Sequence, residues 1–150
     1  LAQVAARAVG KAGMILDSCL SYARDRRQFG SAIGEFQLVQ QMLADSAMEI
    51  NGCRLALWQT ASRIDSGDEA RGAISMLKVQ ASEMLGRVVD RAVQIYGGAG
   101  YCRDLPIERY YRDARIGRIY DGTSEIHRRV MARQMMKGDV GLFDIYEQAG

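Results

Sequence analysis

The stretch EARGAISMLKVQASEMLGRVVDRAVQIY, residues 69–96, carries Ile74, Leu77, Ala81, Leu85, Val88, Ala92 and Ile95 at steps of three and four. That is the period of an α-helix with one apolar stripe, and it predicts a helix from near Glu69 to Tyr96. Working outward, Phe36, Val39, Leu43, Ile50, Cys53, Leu57 and Ile64 repeat in the same way over about eight turns. Ala5, Ala8, Ala12, Ile15, Cys19 and Ala23 form a third stripe. A last helix is expected from near Thr123 to about Met136, with Ile126, Val130 and Met131 as its apolar residues. No segment alternates as a strand would.

The punctuation between these stripes agrees. DRRQFGSAIGE (25–35) supplies two glycines between the first two helices, and DSGDE (65–69) is a short polar turn. A connection that short makes the flanking helices antiparallel neighbours. GGAGYCRDLP (97–106) stops the third helix at glycine, and Asp104 and Pro106 suit the start of a short helix through Tyr111. The expected fold is all-α, an antiparallel up-down four-helix bundle over residues 1–150, with a short extra helix before the last one.

Composition removes several functions. Apolar residues make up 48% and charged residues 25% of the 150, ordinary values for a globular chain. A net charge of +2 gives no argument for nucleic acid or an anionic membrane surface. No apolar run approaches the roughly 20 residues that span a bilayer. Cys19, Cys53 and Cys102 are isolated and odd in number, which suggests reduced thiols in an intracellular setting. With His127 the single histidine, a metal site is not expected. The chain starts at Leu1 inside a helical pattern, and the expectation is a piece of a longer protein.

Three loops depart from a plain bundle. In DRRQFGSAIGEFQ (25–37), Arg24, Arg26 and Arg27 crowd before a turn and Gln37 begins the next helix. Arginines and helix N-termini both favour phosphate oxygens, although a solvated positive loop has the same appearance. In QIYGGAGY (94–101), adjacent glycines let a flat ligand approach the backbone and Gln94 offers a hydrogen bond, while a glycine C-cap is the plainer reading. In IYDGTSEIHRRV (119–130), Asp121 is either an N-cap or a carboxylate base at a bend, with hydroxyls and free N–H groups beside it.

In this order and spacing the three loops resemble the C-terminal domain of the acyl-CoA dehydrogenases. The resemblance covers nearly the whole chain, through YARDRRQFGSAIGEFQ, AVQIYGGAGYCRDLPIERYYRDARIGRIYDGTSEI and RRVMARQMMKG. It implies a four-helix bundle that follows an N-terminal helical domain and a middle β domain. It also implies a flavoenzyme that oxidises an acyl-CoA to its trans-2-enoyl form, a base taking the α-proton as hydride leaves the β-carbon for flavin N5. Arg26 and Gln28 match positions reaching the FAD phosphate and ribose, with Phe29 packing beside them, and Gln37 matches another FAD contact. Gln94, Gly97 and Gly98 match a loop that lies against the FAD of a neighbouring subunit. Thr123, Ser124 and Glu125 match the segment touching FAD from its own subunit, and Gly122 the residue whose backbone meets acyl-CoA. A homodimer at least is implied, commonly a tetramer, with an electron-transfer flavoprotein as electron acceptor. The compartment would be bacterial cytoplasm or mitochondrial matrix, and the bundle alone is expected to be inactive.

Asp121 stands where many members of that family carry a glutamate base. The lost methylene withdraws the carboxylate by roughly 1.3–1.5 Å, and a misplacement near 1 Å costs about a hundredfold in rate. Asp121 is the expected catalytic residue. Two other readings stay open: a relative that deprotonates another acidic carbon, as nitroalkane-oxidising members do, and a non-catalytic helical scaffold.

Overall fold

The computed structural model describes residues 2–138; Leu1 and residues 139–150 of the expected 1–150 domain lie outside the described residues. Helix α1 (Ala2–Asp25) leads through strands β1 (Arg27–Gln28) and β2 (Ser31–Ala32) and a 3₁₀ turn (Ile33–Glu35) into α2 (Gln37–Asp65). Then come α3 (Arg71–Tyr96), a single turn α4 (Gly98–Tyr101), α5 (Ile107–Ile116) and α6 (Ser124–Met136).

The stretch that opened the sequence reading forms the middle of the molecule. More than half of α3 is buried, including Leu77, Met84 and Val88, because α1, α2, α5 and α6 all pack on it. A helix enclosed on most sides carries apolar residues around most of its circumference. Each such side chain, fully buried, contributes about 1.5–3 kcal/mol.

Side-chain pairs set the helix directions. Tyr22 stacks on Tyr96 with ring centroids 4.0 Å apart, and Ser18 Oγ meets the Tyr96 hydroxyl at 2.5 Å. A small cavity between Val4, Ala8, Ser82 and Leu85 joins the start of α1 to the middle of α3, and Ser18 and Tyr22 further along α1 meet Tyr96 at the end of α3, so these two run parallel. Helix α2 runs antiparallel to α3, with Glu49 accepting from Arg87 Nε and Arg91 Nη2, each at 2.7 Å. Helix α6 is also antiparallel to α3, with His127 beside Ser75 and Gln134 beside Arg71. The expected up-down bundle is the observed one, and α5 is the extra helix.

Several local details differ from the sequence expectation. Residues 27–32 form an antiparallel hairpin, Arg27 opposite Ala32 and Gln28 opposite Ser31. Its two-residue loop has φ +53° at Phe29 and +86° at Gly30, the signs of a type I′ turn, whose twist matches that of paired strands. Two residues per strand are too few for alternation to show. Helix α3 begins at Arg71 rather than near Glu69, because the Asp68 carboxylate accepts the Ala70 N–H at 2.8 Å and Ala70 turns left-handed. Helix α5 continues past Tyr111 to Ile116. On α2 the inward stripe is fully buried only at Ile50 and Cys53, and Ile64 is exposed. On α6 the buried residues are Ser124 and His127, whereas Ile126 faces outward.

Burial pushes the Cys19 thiol up to about 12, which leaves it unreactive. Burial also favours the neutral form of Glu49, but hydrogen bonds from Arg91 and Arg87 and their charges outweigh it and hold the carboxyl below its usual value. A depressed folded pKa contributes stability above the unfolded pKa, near 4.3, and loses it as pH falls through the folded value. Glu49→Gln should therefore cost about 1 kcal/mol at pH 7, read as a lower melting temperature by circular dichroism. The gap to wild type should narrow as pH is lowered below about 4.

Candidate functional site

The turn between α5 and α6 is a tightly constrained corner. Asp121 and Gly122 have φ of +54° and +91° in succession. Aspartate enters the left-handed region more readily than most residues, and glycine does so without steric cost. The helix then starts with Thr123 as its cap, the Thr123 Oγ1 accepting the Ile126 N–H at 3.3 Å. Thr123 thus takes the capping role that the sequence had left open to Asp121, and the exposed Asp121 carboxylate is not part of the cap.

Both carbonyls of the corner are held by buried side chains. Lys78 Nζ donates to the Gly122 carbonyl at 2.5 Å, and His127 Nε2 lies 2.9 Å from the Asp121 carbonyl. A carbonyl only accepts, so Nε2 carries the hydrogen, and in the neutral ring Nδ1 accepts from the Ser75 hydroxyl at 3.3 Å. Lys78 is 0% exposed. Burial lowers its pKa, and the negative charges of Asp121 and Glu125 oppose part of that shift. A carbon added to Gly122 would stand 2.9 Å from His127 Nε2, so the position takes no side chain.

Glu83 and Arg128 close the same junction with a 2.8 Å ion pair, and the Arg128 hydrogen bond holds the Glu83 carboxyl below its usual value. Thr123 is half-buried and Glu125 exposed, but Ser124 is 1% exposed, so of the three its side chain faces the protein.

The other candidates gather at the opposite end of α3. Arg26 lies between α1 and the hairpin, and Gln28 and Phe29 on the hairpin, all exposed; Phe29 is 95% exposed, its ring edge-on to Phe36 at 6.3 Å. Gln37 is exposed at the first turn of α2, which has no side-chain cap. Gln94, Gly97 and Gly98 are exposed where α3 stops, joined to the hairpin end by the Tyr22–Tyr96 stack. Gly97 has φ +59° and ψ −138°, open to glycine alone, and a carbon added to Gly97 or Gly98 meets nothing within 4 Å.

An arginine, amide donors, an uncapped helix start and glycines facing open space fit a dinucleotide with a diphosphate and flat rings. Lys78 and Gln94 are 16 residues apart on one helix, about 24 Å at 1.5 Å per residue. One chain therefore separates the hairpin and glycine cluster from the Asp121 corner.

Sequence reasoning missed Lys78, Ser75 and the inward placement of His127. Nothing in the sequence sets them apart, since Gln80, Glu83, Arg87, Asp90 and Arg91 lie on the same helix.

Residues 2–136 match the model of the acyl-CoA dehydrogenase C-terminal domain. The probable acyl-CoA dehydrogenase FadE25 of Mycobacterium tuberculosis is 45% identical over 135 residues, which covers 89% of this chain and 35% of that protein. Butyryl-CoA dehydrogenase from Megasphaera elsdenii superposes with a TM-score of 0.87 at 35% identity, over 90% of this chain and 35% of the other. The FAD complex of PigA superposes at 0.84 with 33% identity, over 88% and 34%. The chain thus spans about a third of the length of the proteins it matches.

Gly122→Ala forces a side chain into a positive-φ position against His127, and is expected to destabilise the protein by about 1–3 kcal/mol in thermal unfolding. Gly86→Ala, at a half-buried position of α3 where the added carbon meets nothing within 4 Å, should change stability by no more than about 1 kcal/mol, in the stabilising direction.

Proposed function

The chain belongs to the acyl-CoA dehydrogenase family, as its C-terminal domain, and from that premise we propose that it is the FAD-binding and oligomerisation bundle of a longer enzyme that α,β-desaturates an acyl-CoA thioester. One observation carries the reading: an exposed carboxylate, Asp121, stands on a rigid left-handed corner at the start of a helix. When bound, FAD supplies the hydride acceptor.

Asp121 is the base that takes the α-proton, and general-base catalysis of this kind contributes about 10²–10⁴-fold. Gly122 presents its backbone to the acyl-CoA, since no side chain fits there. Thr123 and Glu125, with the backbone of Ser124, face the flavin of their own subunit. Arg26, Gln28, Phe29, Gln37, Gln94, Gly97 and Gly98 hold the dinucleotide of a neighbouring subunit. The separation of about 24 Å supports that division, each cluster serving a different cofactor. A homodimer or tetramer with an electron-transfer flavoprotein as acceptor follows from the same reading.

The shorter reach of aspartate favours a second reading, a relative acting on another acidic carbon such as a nitroalkane. Anaerobic addition of acyl-CoAs to the full-length holoenzyme separates the two, since bleaching of the flavin by an acyl-CoA supports the dehydrogenase. Bleaching by nitroalkanes alone supports the relative, and a protein without flavin would be a scaffold.

Asp121→Asn in the full-length enzyme should retain FAD and slow flavin reduction by at least about a hundredfold; normal turnover would remove Asp121 as the base. Gly98→Leu adds a side chain where this chain offers no contact. It should leave the melting temperature of the FAD-free protein nearly unchanged while lowering FAD content.

A further inference from the structure

We propose that Lys78 and His127 are positioning residues that aim the Asp121 carboxylate, by pinning two successive carbonyls of its corner from α3 and from α6. The inference rests on Asp121 being the base.

The direction of the Asp121 side chain is set at its own Cα, and so by the peptide planes on either side of it. Left-handed φ values at two residues in a row leave such a corner with alternative settings of similar energy unless neighbours select one. Here the plane after Asp121 is fixed by His127 Nε2 at 2.9 Å, and the plane after Gly122 by Lys78 Nζ at 2.5 Å. The holders are themselves held. Lys78 is fully buried along α3, and the His127 ring is seated between the corner and Ser75 Oγ on α3. The Asp121 carboxylate, by contrast, is exposed and free to meet a ligand. This is the arrangement a reacting group needs, with a rigid backbone beneath and an open face above.

The chemistry of Lys78 makes the same point. Removing an ammonium from water costs several kcal/mol, and an apolar side chain of equal length would pack there without that cost. A lysine at this place is explained by what it holds. The negative charges of Asp121 and Glu125 offset part of that cost. The ring of His127 serves in another way, since its Nε2–H is fixed toward the corner by the Ser75 hydroxyl, which donates to Nδ1 on the far side of the ring.

The test compares Lys78→Met, His127→Leu and His127→Gln with wild type in the full-length holoenzyme. Glutamine keeps a donor for the Asp121 carbonyl; leucine and methionine do not. Two readouts are taken: the rate of anaerobic flavin reduction by a saturating acyl-CoA per bound FAD, and hydrogen exchange of the peptide spanning residues 119–126. Lys78→Met and His127→Leu are expected to slow reduction about 10–100-fold with KM little changed, and to speed exchange at the corner. His127→Gln should recover most of the rate lost in His127→Leu. A merely structural role would lower the melting temperature and FAD content and leave the rate per bound flavin at the wild-type value, and that result overturns the proposal. So does a His127→Gln variant as slow as His127→Leu. Wild type that no acyl-CoA reduces, or Asp121→Asn that turns over normally, sinks the underlying assignment of the base instead.

Discussion

The burial of α3 on most of its faces is the constraint from which the rest of the molecule follows. On the enclosed faces of α3 no solvent reaches a polar side chain, so a buried one needs a partner within the protein, and several find it on a neighbouring helix. Arg91 finds Glu49 on α2, Tyr96 finds Ser18 on α1, Ser75 finds His127 on α6, and Lys78 finds the Gly122 carbonyl. These pairs fix which helix lies where and in which direction. The last two reach the corner that carries Asp121. The demand that orders the bundle therefore also shapes its candidate site.

Most of the fold was legible because the helical period is a long-range signal. Every apolar residue expected inside α1, from Ala5 to Ala23, is buried. On α2 the period was right and the depth was not. That helix offers one narrow face to the bundle, and Leu38, Met48, Leu55 and Trp58 stay in solvent. The hairpin escaped notice for a different reason. Its pairing involves two residues on each strand, and the signs of φ at Phe29 and Gly30, which make the turn, are not a pattern of hydrophobicity.

The candidate site was nameable where residue type alone suggests the chemistry, as at Asp121, the paired glycines and Arg26, whose roles remain proposals. It was not legible where the function lies in a backbone carbonyl and the side chain that holds it. Lys78 looks in the sequence like any helix-surface lysine, and only the packing of α6 on α3 shows that it is inside. Ser124 errs the other way: a hydroxyl beside the Asp121 carboxylate by sequence, it points into the protein once Thr123 has taken the cap.

The distance of about 24 Å along α3 between the glycine loop and the Asp121 corner has a genetic consequence. On the two-chain reading of the cofactor site, each site draws one cluster from each of two subunits. A lesion at Arg26 and a lesion at Asp121, carried by different copies, then fall together in one site of a mixed dimer and leave the other intact. Two inactive alleles would complement, and the active fraction in co-expressed cells would count how many subunits meet at each site.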